Sequence, residues 1–150
     1  MLRFAIFIVA SITFHSPYLY AKGNPHFNQD LIINIDSGLV QGKLNRSKDT
    51  GSVIEYRGIP YAAAPTGNLR WEPPMRVVAW DGVFKATQFG PACPQVSRFN
   101  LTDASSNEDC LSINVTIPAN ISKDEVLPVL FWIHGGAFIG GSSNLYRLDR

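Results

Sequence analysis

The residues of this chain best suited to chemistry are His134-Gly135-Gly136-Ala137-Phe138. Adjacent glycines let a backbone turn sharply and bring bare N–H groups close to a ligand. N–H groups held about 2.7–3.1 Å from a carbonyl oxygen stabilise the negative charge it gains during acyl transfer. Acyl transfer of this kind also needs a nucleophilic serine on a Gly-x-Ser-x-Gly elbow, an acid and a histidine. The sequence contains no Gly-x-Ser-x-Gly. Gly140-Gly141-Ser142-Ser143-Asn144 is the nearest match and lacks both the glycine spacing and a preceding strand. His26 lies in a polar N-terminal segment and His15 in an apolar leader, so neither is a credible base.

The element that must deliver the glycine pair is the run Val126 to Ile133, whose last five residues are unbroken apolar. Such a run predicts a strand buried on both faces, as in a mostly parallel sheet. Upstream, Leu31 to Ile35 and Leu39 to Leu44 flank Asp36-Ser37-Gly38, a turn signal, and Val53 to Arg57 reads as a third strand. Together they predict an antiparallel β-meander. From Ile59 to Trp80 the chain holds Pro60, Pro65, Pro73 and Pro74 with Tyr61, Trp71 and Trp80. That composition predicts an ordered loop anchored by buried rings. Leu111 to Ile117 reads as a further strand.

Composition narrows the functional classes. The chain is 45% hydrophobic and 17% charged with net charge +1, which gives no basic excess for nucleic acid and no acidic tail. Residues 1–21 have the layout of a secretory signal peptide: Arg3, an apolar core from Phe4 to Phe14, and Ala21 with Leu19 at −3. The core is too short to span a bilayer, and no later run reaches about 18 uninterrupted apolar residues. A buried N-terminal strand or an anchor is the alternative. Cys93 and Cys110 are the only cysteines, and an oxidising compartment favours bridging them over leaving two buried thiols. Closing that loop would contribute about 3 kcal/mol through chain entropy. Asn-x-Ser/Thr sequons occur at Asn45, Asn100, Asn114 and Asn120. Asn45, Asn100 and Asn120 are candidate glycan acceptors because they fall in polar connections or in the cysteine loop. Asn114 falls inside a strand-like run, where a glycan would clash.

Taken in order, these landmarks resemble the N-terminal part of a type-B carboxylesterase, the cholinesterase-like branch of the α/β-hydrolases. The resemblance covers about residues 31 to 146. It is carried by Tyr56-Arg57-Gly58-Ile59-Pro60-Tyr61-Ala62, Pro65-Thr66-Gly67-Asn68-Leu69-Arg70-Trp71 and Trp80-Asp81-Gly82. Phe89-Gly90-Pro91-Ala92-Cys93-Pro94-Gln95, Glu108-Asp109-Cys110-Leu111-Ser112-Ile113-Asn114-Val115 and His134-Gly135-Gly136-Ala137-Phe138 complete it. Ser112 and Thr116 replace residues more often aromatic or aliphatic, and Ala137 stands where many members have a third glycine.

The resemblance implies an α/β fold, a β-meander leading into a central mostly parallel sheet, incomplete in this chain. Residues 22–150 would be the N-terminal portion of a carboxylesterase type-B domain. It further implies that the N–H groups of Gly136 and Ala137 are two of three oxyanion donors, the third following a downstream serine. His134 and Gly135 would shape that loop rather than act as bases. Arg70 and Glu108 would form a structural ion pair, and Cys93 and Cys110 the family's first disulfide. Cholinesterases carry a tryptophan in that disulfide loop for cation–π recognition. Phe99 is the only aromatic there, so a choline ester is not the favoured substrate. The expected protein is a secreted ester hydrolase taking a small-molecule carboxylic ester, with no cofactor, metal, nucleic acid or visible membrane span. A non-catalytic, neuroligin-like adhesion protein on the same fold is the rival. Residues 22–150 alone are expected to lack turnover and to be poorly soluble, because the apolar run would stand open.

Overall fold

The computed structural model describes residues 31–47, 51–95, 106–122 and 125–146. The signal-peptide reading, the Asn100 acceptor, His15, His26 and Phe99 all lie outside these residues. The described strands are β1 (Ile32–Ile35), β2 (Gly38–Gln41), β3 (Lys43–Ser47), β4 (Gly51–Pro60), β5 (Val83–Lys85) and β6 (Ser112–Pro118). Two short 3-10 turns, Gly67–Leu69 and Ser143–Leu145, are the helical elements among the described residues.

The strands form two three-stranded sheets, ordered β1-β2-β5 and β3-β4-β6, in place of the single meander that the turn signals predict. β1 and β2 are antiparallel, and β5, which the sequence reading missed, runs parallel to β2. The expected strand Leu39 to Leu44 is divided at Gly42. A Cβ there would stand 2.7 Å from the Tyr56 ring and 2.8 Å from Glu55 O, so the backbone passes close to β4 as it changes sheet. β3 and β6 both pair antiparallel with β4.

β4 explains where the core sits. Side chains alternate across a strand, and Ile54 and Tyr56 enter a buried cluster with Val40, Ile59 and Ala86. Glu55 points the other way and is also buried. Its carboxylate is bonded by Arg57 Nη2, stands 3.9 Å from Lys43 Nζ, and accepts from Asn45 Nδ2 at 3.4 Å. Arg57 in turn lies 4.3 Å over the Phe89 ring. At Arg57-Gly58 the β4–β6 register shifts. There Arg57 N–H donates to Ala86 O at 2.8 Å, tying the second sheet to the chain leaving β5.

One expectation about apolar residues is corrected. In the loop after β4 only Trp80 is anchored, packing on Phe84 at 5.3 Å and donating from Nε1 to Leu39 O. Tyr61 is exposed and Trp71 is 91% exposed, because proline-rich backbone follows the surface without enclosing its own rings. Val126 to Ile133 forms no paired strand among the described residues and stands open, as expected of these residues alone: Leu130 is 91% and Ile133 76% exposed. A strand needs neighbours for its backbone groups as well as an apolar pattern, and no described residue offers a strand beside this run. Among the described residues no helix is long and apolar enough to cross a membrane.

Candidate functional site

The apolar run leads into a bend at Gly135–Gly141. Gly136 has φ +135°, a conformation that side chains oppose, and Ala137 and Phe138 follow at φ 51° and 59°. Carbonyl oxygen Gly136 O accepts from Ile139 N–H at 3.0 Å and from Gly140 N–H at 3.2 Å, closing the bend on itself. A Cβ at Gly136 would fall 1.8 Å from Gly140 O, so only glycine fits there. The N–H groups of Gly136 and Ala137 donate to no described residue. Adjacent N–H groups left over in a turn make an anion-binding concavity, and Ala137 is exposed.

His134 belongs to the same local packing. Its Nδ1–H donates to Gly135 O at 2.8 Å. Gly141 closes over both: a Cβ on it would stand 2.6 Å from Gly135 O and 3.0 Å from His134 Nδ1.

Side-chain amides fasten the far side of the bend to the sheets. Gln95 Oε1 accepts Gly141 N–H at 2.8 Å, while Gln95 Nε2 donates to Gly141 O and to Cys93 O, each at 3.1 Å. Asn114, in β6, accepts Gly58 N–H at 2.8 Å and donates to Ser143 Oγ at 3.0 Å. Asn144 Nδ2 donates to Gly90 O at 2.8 Å, and its own N–H is held by Ser142 Oγ at 3.0 Å. Trp132 meets Tyr146 edge to face at 4.2 Å. None of these amide roles was foreseen from the sequence, because the partners lie 46, 29 and 54 residues apart and no local pattern announces them.

The remaining residues singled out from the sequence are scattered. Cys93 and Cys110 form a disulfide with Cα atoms 5.1 Å apart. Arg70 Nη2 lies 3.1 Å from Glu108 Oε1, with the side chains 57% and 41% exposed. Neither the disulfide nor this ion pair touches the glycine bend, although the disulfide lies next to Gln95. Asn120 is exposed in the turn after β6. Asn45 lies within β3 instead of in a polar connection, half-buried and turned to Glu55. No three His, Cys, Asp or Glu side chains converge as a metal site among the described residues.

The model of the carboxylesterase family matches residues 29–150. The chain belongs to the carboxylesterase family, which implies an α/β-hydrolase architecture. It is 39% identical over 111 residues to a carboxylic ester hydrolase of Bombus ignitus, covering 71% of this chain and 20% of that protein. It is 36% identical over 111 residues to venom carboxylesterase-6 of Apis mellifera, covering 72% and 20%. A pyrethroid hydrolase of Mus musculus is 37% identical over 130 residues, covering 79% and 23%. The chain thus spans about a fifth of the length of the first two relatives.

Proposed function

We propose that these residues form the N-terminal portion of a secreted serine hydrolase acting on small-molecule carboxylic esters. Residues 1–21 are its signal peptide, and residues 22–150 open the type-B carboxylesterase domain. The observation that carries the reading is the pair of N–H groups at Gly136 and Ala137, unspent within a bend where only glycine fits at 136. The names of the relatives, a carboxylic ester hydrolase and a venom carboxylesterase among them, support the reaction class and export.

In this mechanism a downstream serine attacks the ester carbonyl and a downstream histidine takes its proton. The two N–H groups and the one following the serine hold the oxyanion, and water then clears the acyl-enzyme. His134, bonded to Gly135 O, keeps the bend in shape and moves no proton. The open apolar run is the strand that later sheet and helices cover in the complete fold. Arg70–Glu108 fastens the opening loop to the cysteine loop. Asn120, exposed in its turn, is the best placed glycan acceptor, and Asn100 and Asn45 are further ones.

Hydrolysis of p-nitrophenyl esters by the complete protein, with residues 22–150 alone as comparison, tests the reading. Turnover by the complete protein only, abolished by replacing its elbow serine, is the expected result. A complete protein lacking that serine, or one with it and no turnover, would overturn the reading in favour of a binding role.

A further inference from the structure

We propose that Gln95 is a positioning residue for ester hydrolysis, holding the oxyanion bend in register through Gly141; this rests on the oxyanion reading of Gly136 and Ala137. The side-chain amide of Gln95 satisfies both backbone groups of Gly141, accepting its N–H at 2.8 Å and donating to its O at 3.1 Å. A two-point clasp on the N–H and O of one residue fixes the orientation of the two peptide units that flank it as well as their position. The same Nε2 donates to Cys93 O, so the clasp is itself tied to the disulfide-linked loop.

Gly141 cannot shift alone. It packs against Gly135 O and the His134 ring closely enough that no Cβ would fit, and its neighbour Gly140 is bonded to Gly136 O. Displacing Gly141 therefore displaces the peptide units that carry the two free N–H groups. A donor misplaced by about 1 Å is enough to cost up to about 10²-fold in rate. Gln95 touches neither the free N–H groups nor any atom they would hold, so its effect is on geometry alone.

Two substitutions in the complete protein test this. Gln95→Ala removes the clasp; kcat for a p-nitrophenyl ester should fall at least about 10-fold with KM changed by less than about twofold, the mark of an interaction felt in the transition state. Gln95→Glu keeps the acceptor for Gly141 N–H but sets an anion against Gly141 O and Cys93 O. Its kcat relative to the unsubstituted protein should be low at neutral pH and recover toward acid, where the protonated carboxyl donates again. A merely structural glutamine would not give that pH dependence.

Amide hydrogen exchange over Gly135–Gly141 gives a readout independent of turnover and should accelerate in Gln95→Ala. Unchanged kcat in an active Gln95→Ala protein overturns the proposal. So does a loss of kcat matched by global unfolding in both variants, or unchanged exchange in the bend. If the unsubstituted protein hydrolyses no ester while exchange still accelerates on substitution, the esterase reading falls and the clasp remains as a fact about the bend.

Discussion

Strand β4 carries Ser52, Glu55, Tyr56 and Arg57 within its ten residues and lies largely enclosed between β3, β6 and the chain after β5. The run Val129 to Ile133 carries no polar residue at all and stands open. Among the described residues of a chain that spans about a fifth of its relatives' length, burial follows the supply of partners for the backbone more closely than hydropathy. Where β3 and β6 pair with β4, even a carboxylate is enclosed and compensated by a guanidinium. Where no described strand adjoins the apolar run, the segment after it is held by amide side chains reaching from Gln95 and Asn114 and back to Gly90. The two regions therefore differ in what should break them: the first through its buried charges, the second through single backbone contacts.

The largest expected effect lies in the first region. The Glu55 and Arg57 side chains are 4% and 14% exposed, whereas those of Arg70 and Glu108 are 57% and 41% exposed. Removing one partner of a buried pair leaves an uncompensated charge and costs about 3–5 kcal/mol, while an exposed pair contributes about 0–1 kcal/mol. Arg57→Ala should fall toward the lower end of the first range, since Lys43 stays within 3.9 Å of Glu55. It also forfeits packing on Phe89. Urea unfolding of the complete protein should show a large drop in midpoint for Arg57→Ala and almost none for Arg70→Ala. Equal drops would mean that enclosure of the charge is not what distinguishes the two pairs.

In the second region a single methyl group should matter almost as much, but to activity. Gly136→Ala places a carbon where Gly140 O now stands, and the bend must open to admit it. Loss of one oxyanion donor costs about 10²–10³ in rate, and kcat of the complete protein should fall by that factor, with its urea midpoint lowered as well by the strained φ and the displaced Gly140 O. A variant retaining full kcat would separate this bend from the chemistry.

How much of this was legible beforehand follows the same division. Strand β1, most of β6 and the turn at Asp36-Ser37 were readable because apolar alternation and turn residues are local signals. The glycine bend was readable as a sharp turn for the same reason. The split at Gly42 was not, since the cause is Tyr56 and Glu55 of another strand crossing close by. Nor was the buried Glu55–Arg57 pair, which in sequence is two charges in an otherwise strand-like run. Apolar content wrongly predicted enclosure for Trp71, because hydropathy states a preference for burial without naming what would cover the residue; Val126 to Ile133 stands open, as expected of these residues alone. Gln95 and Asn114 escaped notice for the complementary reason: their partners are fixed only once the chain is folded.

A smaller effect should come from Ala137. It and Phe138 hold positive φ values of 51° and 59°, a region that costs a non-glycine residue roughly 1–2 kcal/mol. Ala137→Gly removes the Cβ penalty in the folded state but adds freedom to the unfolded chain, and the two contributions partly offset. The expected net result is a gain in stability of no more than about 1 kcal/mol with kcat retained, because the N–H is unchanged. A marked fall in kcat would show that the strained alanine, and not merely its N–H, fixes the bend.

The smallest effect at neutral pH belongs to Tyr56, and it sharpens the account of the first region. Its ring fills the core cluster, but its hydroxyl is buried with no partner among the described residues. An unpaired buried hydroxyl gives the folded state nothing to offset its lost hydration, so Tyr56→Phe should be neutral or stabilise by up to about 1 kcal/mol near pH 7. Burial also raises the phenol pKa above its ordinary value, by disfavouring the charged form. Between the unfolded value, about 10, and the higher folded value, the folded chain keeps a proton that the unfolded chain releases. The unsubstituted protein therefore holds its stability below about pH 10 and loses it as pH rises above that point, a loss from which Tyr56→Phe is exempt. Urea midpoints measured on both sides of that pH should converge on little difference at neutrality and separate in favour of the phenylalanine variant in alkali. A variant less stable by more than about 1 kcal/mol at neutrality would instead show that the hydroxyl is hydrogen-bonded in solution, and that β4 encloses polar groups only where it can satisfy them.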